Sequence, residues 1–393
     1  MAVPSLGMRT QAGTRFGRTL LVVLALVVAA CGSSGGAQDA AVSPTTLGPA
    51  SPAPSVPVPT TQPCRSAPLE ARAASVLVVG IGNATTADDP LAAKVSSLGV
   101  GGVVLLGPNV VDATQTRALI EGLRRQSPQR LLVSVDEEGG RVSRLRPILG
   151  PTPSARALGR QSPPEITAVA AERGTTLGDL GFDLILAPVV DADGGAANDA
   201  IGDRSFAATP AGAGSLAAAF AKGLHQSGVT AVAKHFPGQG ELADSHDGPV
   251  VFDAPLDDVE AAAAIGFGPV LDGGAQAVMM SHVTFPALGP LPASLEPAAY
   301  RLLRSLGFEG VAVTDAVNMS ALSTQWSLPE AAVMALAAGG DLVLATAGDQ
   351  ATAMRDALVA AVEKGRLPEA RLDEAVGRVL TLRGEDPATM ICA

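Results

Sequence analysis

From Ser75 onward the chain repeats one pattern: a short run of Val, Ile, Leu and Ala, closed by Gly, Pro or Asp, then a stretch of helical composition. The runs lack polar alternation, as expected of strands covered on both faces, which have no solvent side. Eight are predicted as strands, over Ser75–Ile81, Gly102–Leu106, Arg130–Val135, Asp183–Ala187, Thr230–Ala233, Ala277–Ser281, Gly310–Thr314 and Asp341–Ala345. Helices are predicted at Asp112–Arg125, Pro164–Leu180, Gly212–His225, Leu256–Phe267, Pro297–Leu306, Pro329–Ala338 and Gln350–Lys364, with Pro368–Leu382 closing the array. Eight strand-then-helix units in one α/β chain favour a (β/α)8 TIM barrel, a single domain over residues 65–393, over an open doubly wound sheet. No glycine fingerprint of the dinucleotide or P-loop type follows the first strand.

Composition narrows the function classes. Of 393 residues, 47% are hydrophobic and 17% charged, which excludes disorder throughout and allows a large core. Formal charge is −11, and without the first 31 residues, which hold three Arg and no acid, it is 24 against 38, or −14. Such a surface lacks the basic field that phosphate binding needs, so no nucleic-acid partner is expected. Aromatic residues at 3% also argue against stacking platforms for single strands.

The N-terminal region reads separately. Arg9, Arg15 and Arg18 precede an apolar run, Thr19–Ala30, whose 12 residues suit the apolar segment of a signal peptide. A bilayer span needs roughly 20. The run ends Val28-Ala29-Ala30-Cys31, then Gly32-Ser33-Ser34-Gly35-Gly36, which resembles the cleavage box of bacterial lipoproteins, where the Cys becomes the lipidated N-terminus. An ordinary secretory signal with an incidental Cys is the alternative. Residues 1–31 are thus expected to be a lipoprotein signal peptide ending at the lipidated Cys31, placing the protein on the outer face of the cell membrane without a spanning helix. Residues 32–64, rich in Pro, Ser, Thr and Ala, are expected to form a tether. In an oxidising compartment Cys64 and Cys392 are candidates for a disulfide joining the domain's termini, two unpaired thiols being the alternative.

Barrel enzymes carry their chemistry at the C-terminal ends of the strands. Here the third run leads into Asp136-Glu137-Glu138-Gly139-Gly140, the fourth into Val190-Asp191-Ala192-Asp193, the fifth into Lys234-His235, the sixth into Ser281-His282 and the seventh into Asp315. Three of the four histidines, all but His225, lie at or just beyond these ends. Solvated loops collect Asp and Lys by default, but not the histidines with them.

Five ordered blocks carry a family resemblance: Asp136 to Arg144, Ile201-Gly202-Asp203-Arg204-Ser205-Phe206, Lys234-His235-Phe236-Pro237-Gly238-Gln239-Gly240, Asp244-Ser245-His246, and Val313-Thr314-Asp315 to Met319. From about Ser75 to Leu382 the chain resembles glycoside hydrolase family 3, in particular its single-barrel β-N-acetylglucosaminidases of the NagZ type. The resemblance implies retaining hydrolysis of a terminal β-linked N-acetylglucosamine from cell-wall fragments that carry it on N-acetylmuramic acid. It implies Asp315 as nucleophile and His246 as acid and then base, with Asp244 as its partner. Asp136, Arg144, Arg204, Lys234 and His235 would hold the sugar. No metal or cofactor is implied, and a monomer is expected. Two departures stand out: Gln239 replaces the second His of the usual loop, which is also one residue shorter up to His246, and Ala316 replaces the usual second acid after the nucleophile.

The chemistry asks for these residue types. Retention requires a nucleophile on one face of the anomeric carbon and a proton donor toward the leaving oxygen. Asp315, at the end of a strand, suits the first task, the alternative being a helix N-cap before Asn318-Met319-Ser320-Ala321. An imidazole, with an ordinary pKa of about 6.5, can give a proton and later take one. In an extended loop Asp244 and His246 would point to the same side, so the carboxylate would orient the ring, against the alternative of a plain surface Asp-Ser-His. Gly238, Gly240 and Gly248 suggest that this loop moves. Asp136, Arg144 and Arg204 belong either to sugar binding or to an ion-pair network at the barrel mouth. A Schiff-base role for Lys234 has no accompanying motif. Competing functions are a phosphorylase, with phosphate entering in place of water; a metal-dependent hydrolase using His235, Asp244, His246 and His282, whose spacing matches no standard zinc motif; and a non-catalytic sugar-binding lipoprotein.

Overall fold

Eight parallel strands form the centre of the molecule: β1 (Leu77–Gly80), β2 (Gly102–Leu105), β3 (Leu132–Val135), β4 (Leu184–Ile185), β5 (Thr230–Phe236), β6 (Ala277–Met280), β7 (Val311–Thr314) and β8 (Val343–Ala345). These come from a computed structural model that describes residues 66–392 apart from 197, 198 and 241. The expected leader 1–31 with Cys31, the tether 32–64 and Cys64 lie outside the described residues. Neighbours in the sheet follow chain order from β1 to β7, and β8 pairs with β1. The ring closes between β7 and β8, where Val313 bridges Leu342 and the Thr314 amide donates to the Leu342 carbonyl at 3.0 Å. This is the expected (β/α)8 barrel.

The apolar runs are explained by two concentric cores. In β1, Val78 joins an inner cluster with Val104, Leu132, Leu184, Val232, Met279, Val313 and Leu344, while Leu77 and Val79 pack outward against the helices. Both faces are dry, so alternating polar residues would leave buried groups unpaired. All the expected helices form. Helix Leu256–Asp272 runs beyond Phe267 and through Pro269, because Phe267 and Val270 are both core residues on its buried side. Two helices longer than one turn were not anticipated, Leu69–Ser75 and Pro90–Ser97, beside the single turns Arg146–Leu149, Ala155–Leu158 and Ser320–Ser323. The second had a readable start, since Asp89 caps it by accepting from the Leu91 amide and Pro90 sits in the first turn.

At the N-terminal ends of the strands the charged residues are structural. The buried Asp341 carboxylate, just before β8, accepts from Arg304 at 2.6 Å, Arg371 at 2.7 Å and Arg378 at 3.1 Å. Arg371 and Arg378 come from the closing helix Glu369–Leu382, whose Val379 reaches the inner core and covers this end of the barrel. The start and end of the described chain meet: the Ala67 amide donates to the Met390 carbonyl at 2.9 Å, and the Cys392 amide to Ser66 Oγ at 3.2 Å. Cys392 is disulfide-bonded. Among the described residues no helix is long and apolar enough to cross a membrane.

Candidate active site

At the opposite end of the barrel the strand tips surround a cavity of about 340 Å³. Its base is apolar, formed by Val104, Leu186, Met279 and Leu344, and its wall is charged. Such a cavity suits one small polar molecule with a hydrocarbon face, not a chain of them.

Two local features deliver the charged wall. After β3 the chain forms a small hairpin in which Glu137–Gly139 pairs antiparallel with Val142–Ser143, and Gly139 and Gly140 turn it with φ of 93° and 58°. A Cβ on Gly139 would lie 2.3 Å from the Pro153 carbonyl oxygen, so only glycine fits there. Strand alternation then sends Asp136 and Glu138 to the cavity and Glu137 to the other side. In β5 the register against β6 slips, with Lys234 opposite Met279 but Phe236 opposite Met280. The extra residue is His235, held at φ 137°. This bulge lets two consecutive residues, Lys234 and His235, both line the cavity.

The wall is a closed ion network. Lys234 Nζ donates to Asp136 Oδ1 at 2.8 Å and lies 2.6 Å from Glu138 Oε1. Arg204 grips Glu138 with two hydrogen bonds, Nε to Oε2 at 2.7 Å and Nη2 to Oε1 at 2.9 Å. Burial by itself would raise the Glu138 carboxyl, but Arg204 and Lys234 outweigh it and hold it far below the ordinary carboxylate range. Burial likewise opposes the charge on Lys234 and is outweighed by Asp136 and Glu138, so its ammonium is held above the usual lysine value.

Glu138→Gln removes the counter-charge shared by two cations and is expected to cost about 3–5 kcal/mol of stability. Because the folded-state carboxyl is depressed, its contribution is complete above the ordinary value of about 4.3 and disappears only as pH falls through the depressed one. The Tm gap between wild type and variant should therefore be constant from about pH 5.5 upward and narrow in strong acid; thermal melts across pH check this, and a gap that widens in acid would contradict it.

Asp191, beyond β4, orients His235. Its Oδ2 accepts from Nδ1 at 2.5 Å and its Oδ1 from the Gln239 amide at 2.7 Å, which leaves Nε2 facing Arg204 Nη2 at 3.5 Å. Gln239 therefore serves here through its backbone, while its side chain donates to the Ala243 carbonyl at 3.4 Å. The half-buried Asp315 follows β7, its amide donating to Met280 O at 3.1 Å and its Oδ1 accepting from the Ala316 amide at 2.7 Å. It caps no helix: the short helix Ser320–Ser323 has Met319 at its N-cap, so that alternative is set aside. Burial would raise its carboxyl, but His282, His235, the Ala316 amide and Lys234 together bring it below the ordinary value, leaving an anion at neutral pH. Behind it, the buried His282 is pushed below its ordinary value, chiefly by burial. As a neutral ring it donates from Nε2 to the Ala316 carbonyl at 3.0 Å and accepts at Nδ1 from the Ser294 hydroxyl at 2.7 Å.

The loop residues Asp244 and His246 line the same cavity, with His246 the more exposed. Asp244 Oδ1 accepts from His246 Nδ1 at 2.7 Å and also from the His246 amide at 2.9 Å. The pair thus forms, but in a turn closed by the carboxylate and not in the extended loop expected, since an Asp two residues before an amide readily makes this ring. Burial would raise the Asp244 carboxyl, and its bonds from His246 lower it further than burial raises it. From the other side the Ala321 amide donates to the Ser245 carbonyl at 3.2 Å.

The proposed sugar residues Asp136, Arg144, Arg204, Lys234 and His235 are all brought to this cavity, Arg144 with Nη2 3.9 Å from Asp136 Oδ2. The four residues weighed as metal ligands are not gathered: His282 has both ring nitrogens engaged and His235 has Nδ1 on Asp191. Among the described residues no group of three or more His, Cys, Asp or Glu is arranged to hold a metal ion. Glu138, Asp191 and His282 had been seen at strand ends without these roles. Period-two alternation from Asp136 would have found Glu138, whereas no local signal links Asp191 to His235.

Comparison with known proteins shows the family. The family model described as the glycosyl hydrolase family 3 N-terminal domain matches residues 69–382. The beta-hexosaminidase LpqI of Mycobacterium tuberculosis is 38% identical over 392 residues, 95% of this chain and 98% of that protein. Among solved structures, a beta-N-acetylhexosaminidase from Beutenbergia cavernae superposes with a TM-score of 0.74 at 34% identity, covering 81% of this chain and 99% of that one. A family 3 beta-N-acetylglucosaminidase from a Paenibacillus species gives 0.77 at 32% identity, covering 84% of this chain and 64% of that one.

Proposed function

The chain belongs to glycosyl hydrolase family 3 and is a glycosidase, and from that premise we propose that it releases terminal β-linked N-acetylglucosamine with retention, through a covalent intermediate on Asp315. One observation carries this reading: the ionised Asp315 and the Asp244–His246 pair line one cavity of about 340 Å³, sized for a single sugar. The similarity to a beta-N-acetylhexosaminidase and to a beta-N-acetylglucosaminidase supports the choice of sugar.

In the first half-reaction His246 gives its proton to the leaving oxygen while Asp315 attacks the anomeric carbon, so the glycosidic bond breaks as the bond to the carboxylate forms. Asp244 stabilises the imidazolium and fixes the ring. In the second half, His246 takes a proton from water, which displaces the sugar from Asp315. Asp136, Arg144, Arg204, Lys234 and His235 hold the hydroxyl edge, their charges fixed before the sugar arrives. The substrate we assign is a fragment of cell-wall glycan carrying N-acetylglucosamine on N-acetylmuramic acid. The Arg-flanked apolar run before Cys31 supports anchoring by lipid on the outer face of the membrane.

The test is a fluorinated N-acetylglucosaminyl substrate analogue that slows the second half-reaction, followed by peptide mapping. The label is expected on the peptide containing Asp315. A label elsewhere, or an enzyme that turns over without ever being labelled, would replace the mechanism.

A further inference from the structure

We propose that Glu137, which the mechanism leaves unused, is a positioning residue that sets Arg144 against the sugar; the inference rests on the reading that Arg144 binds substrate. Glu137 sits between Asp136 and Glu138 but on the opposite side of the hairpin strand, and it is fully buried. Its Oε2 accepts from the Ser143 hydroxyl at 3.0 Å and from the Leu145 amide at 3.1 Å. These two donors flank Arg144, whose own amide donates to the Asp136 carbonyl at 3.3 Å. One carboxyl oxygen therefore clamps the residue on each side of Arg144 to the strand that carries Asp136 and Glu138.

The Arg144 side chain depends on that clamp. Asp136 lies 3.9 Å from its guanidinium, beyond hydrogen-bond reach, and its buried Nε has no hydrogen-bond partner among the described residues. What aims it into the cavity is its backbone. An apolar side chain at 137 would fill the same space but leave the Ser143 hydroxyl and the Leu145 amide without their acceptor. The second oxygen, Oε1, is buried and has no partner among the described residues. Facing it from helix Pro163–Leu180, Arg173 donates instead to the Glu138 carbonyl at 3.3 Å. Burial, the largest influence, pushes the Glu137 carboxyl above its ordinary range, with Glu138 adding to the rise and Leu145, Ser143 and Arg173 opposing it.

The experiment measures the Kd of N-acetylglucosamine by calorimetry, with kcat and KM for its p-nitrophenyl β-glycoside, for E137A, E137Q, R144A and E137A/R144A. E137A is expected to weaken binding and raise KM about tenfold with a smaller change in kcat. E137Q keeps a carbonyl acceptor and should stay within about twofold of wild type. In the R144A background E137A should add nothing, since both changes remove one interaction. Wild-type Kd in E137A, or its full loss repeated on top of R144A, would overturn the assignment. Should E137A fail to fold, S143A removes one donor and leaves the carboxyl in place; a few-fold loss that vanishes with R144A supports the role, and an unchanged Kd refutes it. A wild-type enzyme that binds the sugar but cleaves no glycoside would count against the hydrolytic reading alone, because the Kd series still decides the role of Glu137.

Discussion

Asp315→Ala is expected to lower the release of p-nitrophenol from p-nitrophenyl N-acetyl-β-glucosaminide by on the order of 10³-fold or more, while N-acetylglucosamine still binds. The size of the loss follows from the role. Without the carboxylate no covalent glycosyl-enzyme forms, and the positive charge developing at the anomeric carbon loses the anion beside it. The fold should survive, because Asp315 is only half-buried and its carboxylate is bonded to the neighbouring Ala316 amide, while His282 keeps its contacts with Ser294 and the Ala316 carbonyl. Thermal melting and sugar binding by calorimetry separate lost chemistry from lost structure. Retention of more than about a tenth of the activity would move the nucleophile elsewhere. Sugar binding with no turnover in the wild type would instead describe a barrel kept for recognition.

The second large effect depends on the leaving group. His246→Ala should reduce cleavage of a disaccharide substrate by about 10²–10⁴-fold, since a sugar alkoxide cannot depart unprotonated. Formation of the glycosyl-enzyme from a dinitrophenyl glycoside, whose phenolate needs no proton, should be nearly unaffected. Steady-state turnover of that aryl substrate will then stall at the second half-reaction, and azide, which attacks without a general base, should restore it. Asp244→Ala should show the same pattern more weakly, because the imidazole remains but loses the carboxylate that orients it. His246 is exposed and sits on a loop outside the barrel core, so its removal should leave Tm unchanged. Equal losses on both substrates would deny it the acid role.

The roles proposed for these residues were implied by the family resemblance; only their positions were legible from the residues themselves, for different reasons. Asp315 stands at the end of a strand predicted from a short apolar run, and a barrel places whatever follows such a run at its mouth. Asp244 and His246 are two residues apart, so their hydrogen bond is a local event, even though it is made in a turn and not in an extended segment. The hairpin at Glu137–Ser143 was less visible: alternation from Asp136 would have placed Glu138 on the cavity side, but no predicted run marked the segment as a strand that turns back on Val142–Ser143. The bulge at His235 was invisible, because a strand read from sequence alternates its faces, and only pairing with β6 reveals the extra residue.

By itself the sequence determined that strands buried on both faces alternate with helices, and therefore that polar residues following each run would converge at one end of a barrel. Burial of apolar surface on both sides of a strand is a local demand, and composition answers it directly. Only the tertiary structure decided which charges meet: Arg204 with Glu138 across 66 positions, His235 with Asp191 across 44, and Lys234 with Asp136 across 98. Such pairings are selected by distances of a few ångströms in a water-poor site, where an unpaired charge is costly, and separation along the chain carries no record of those distances.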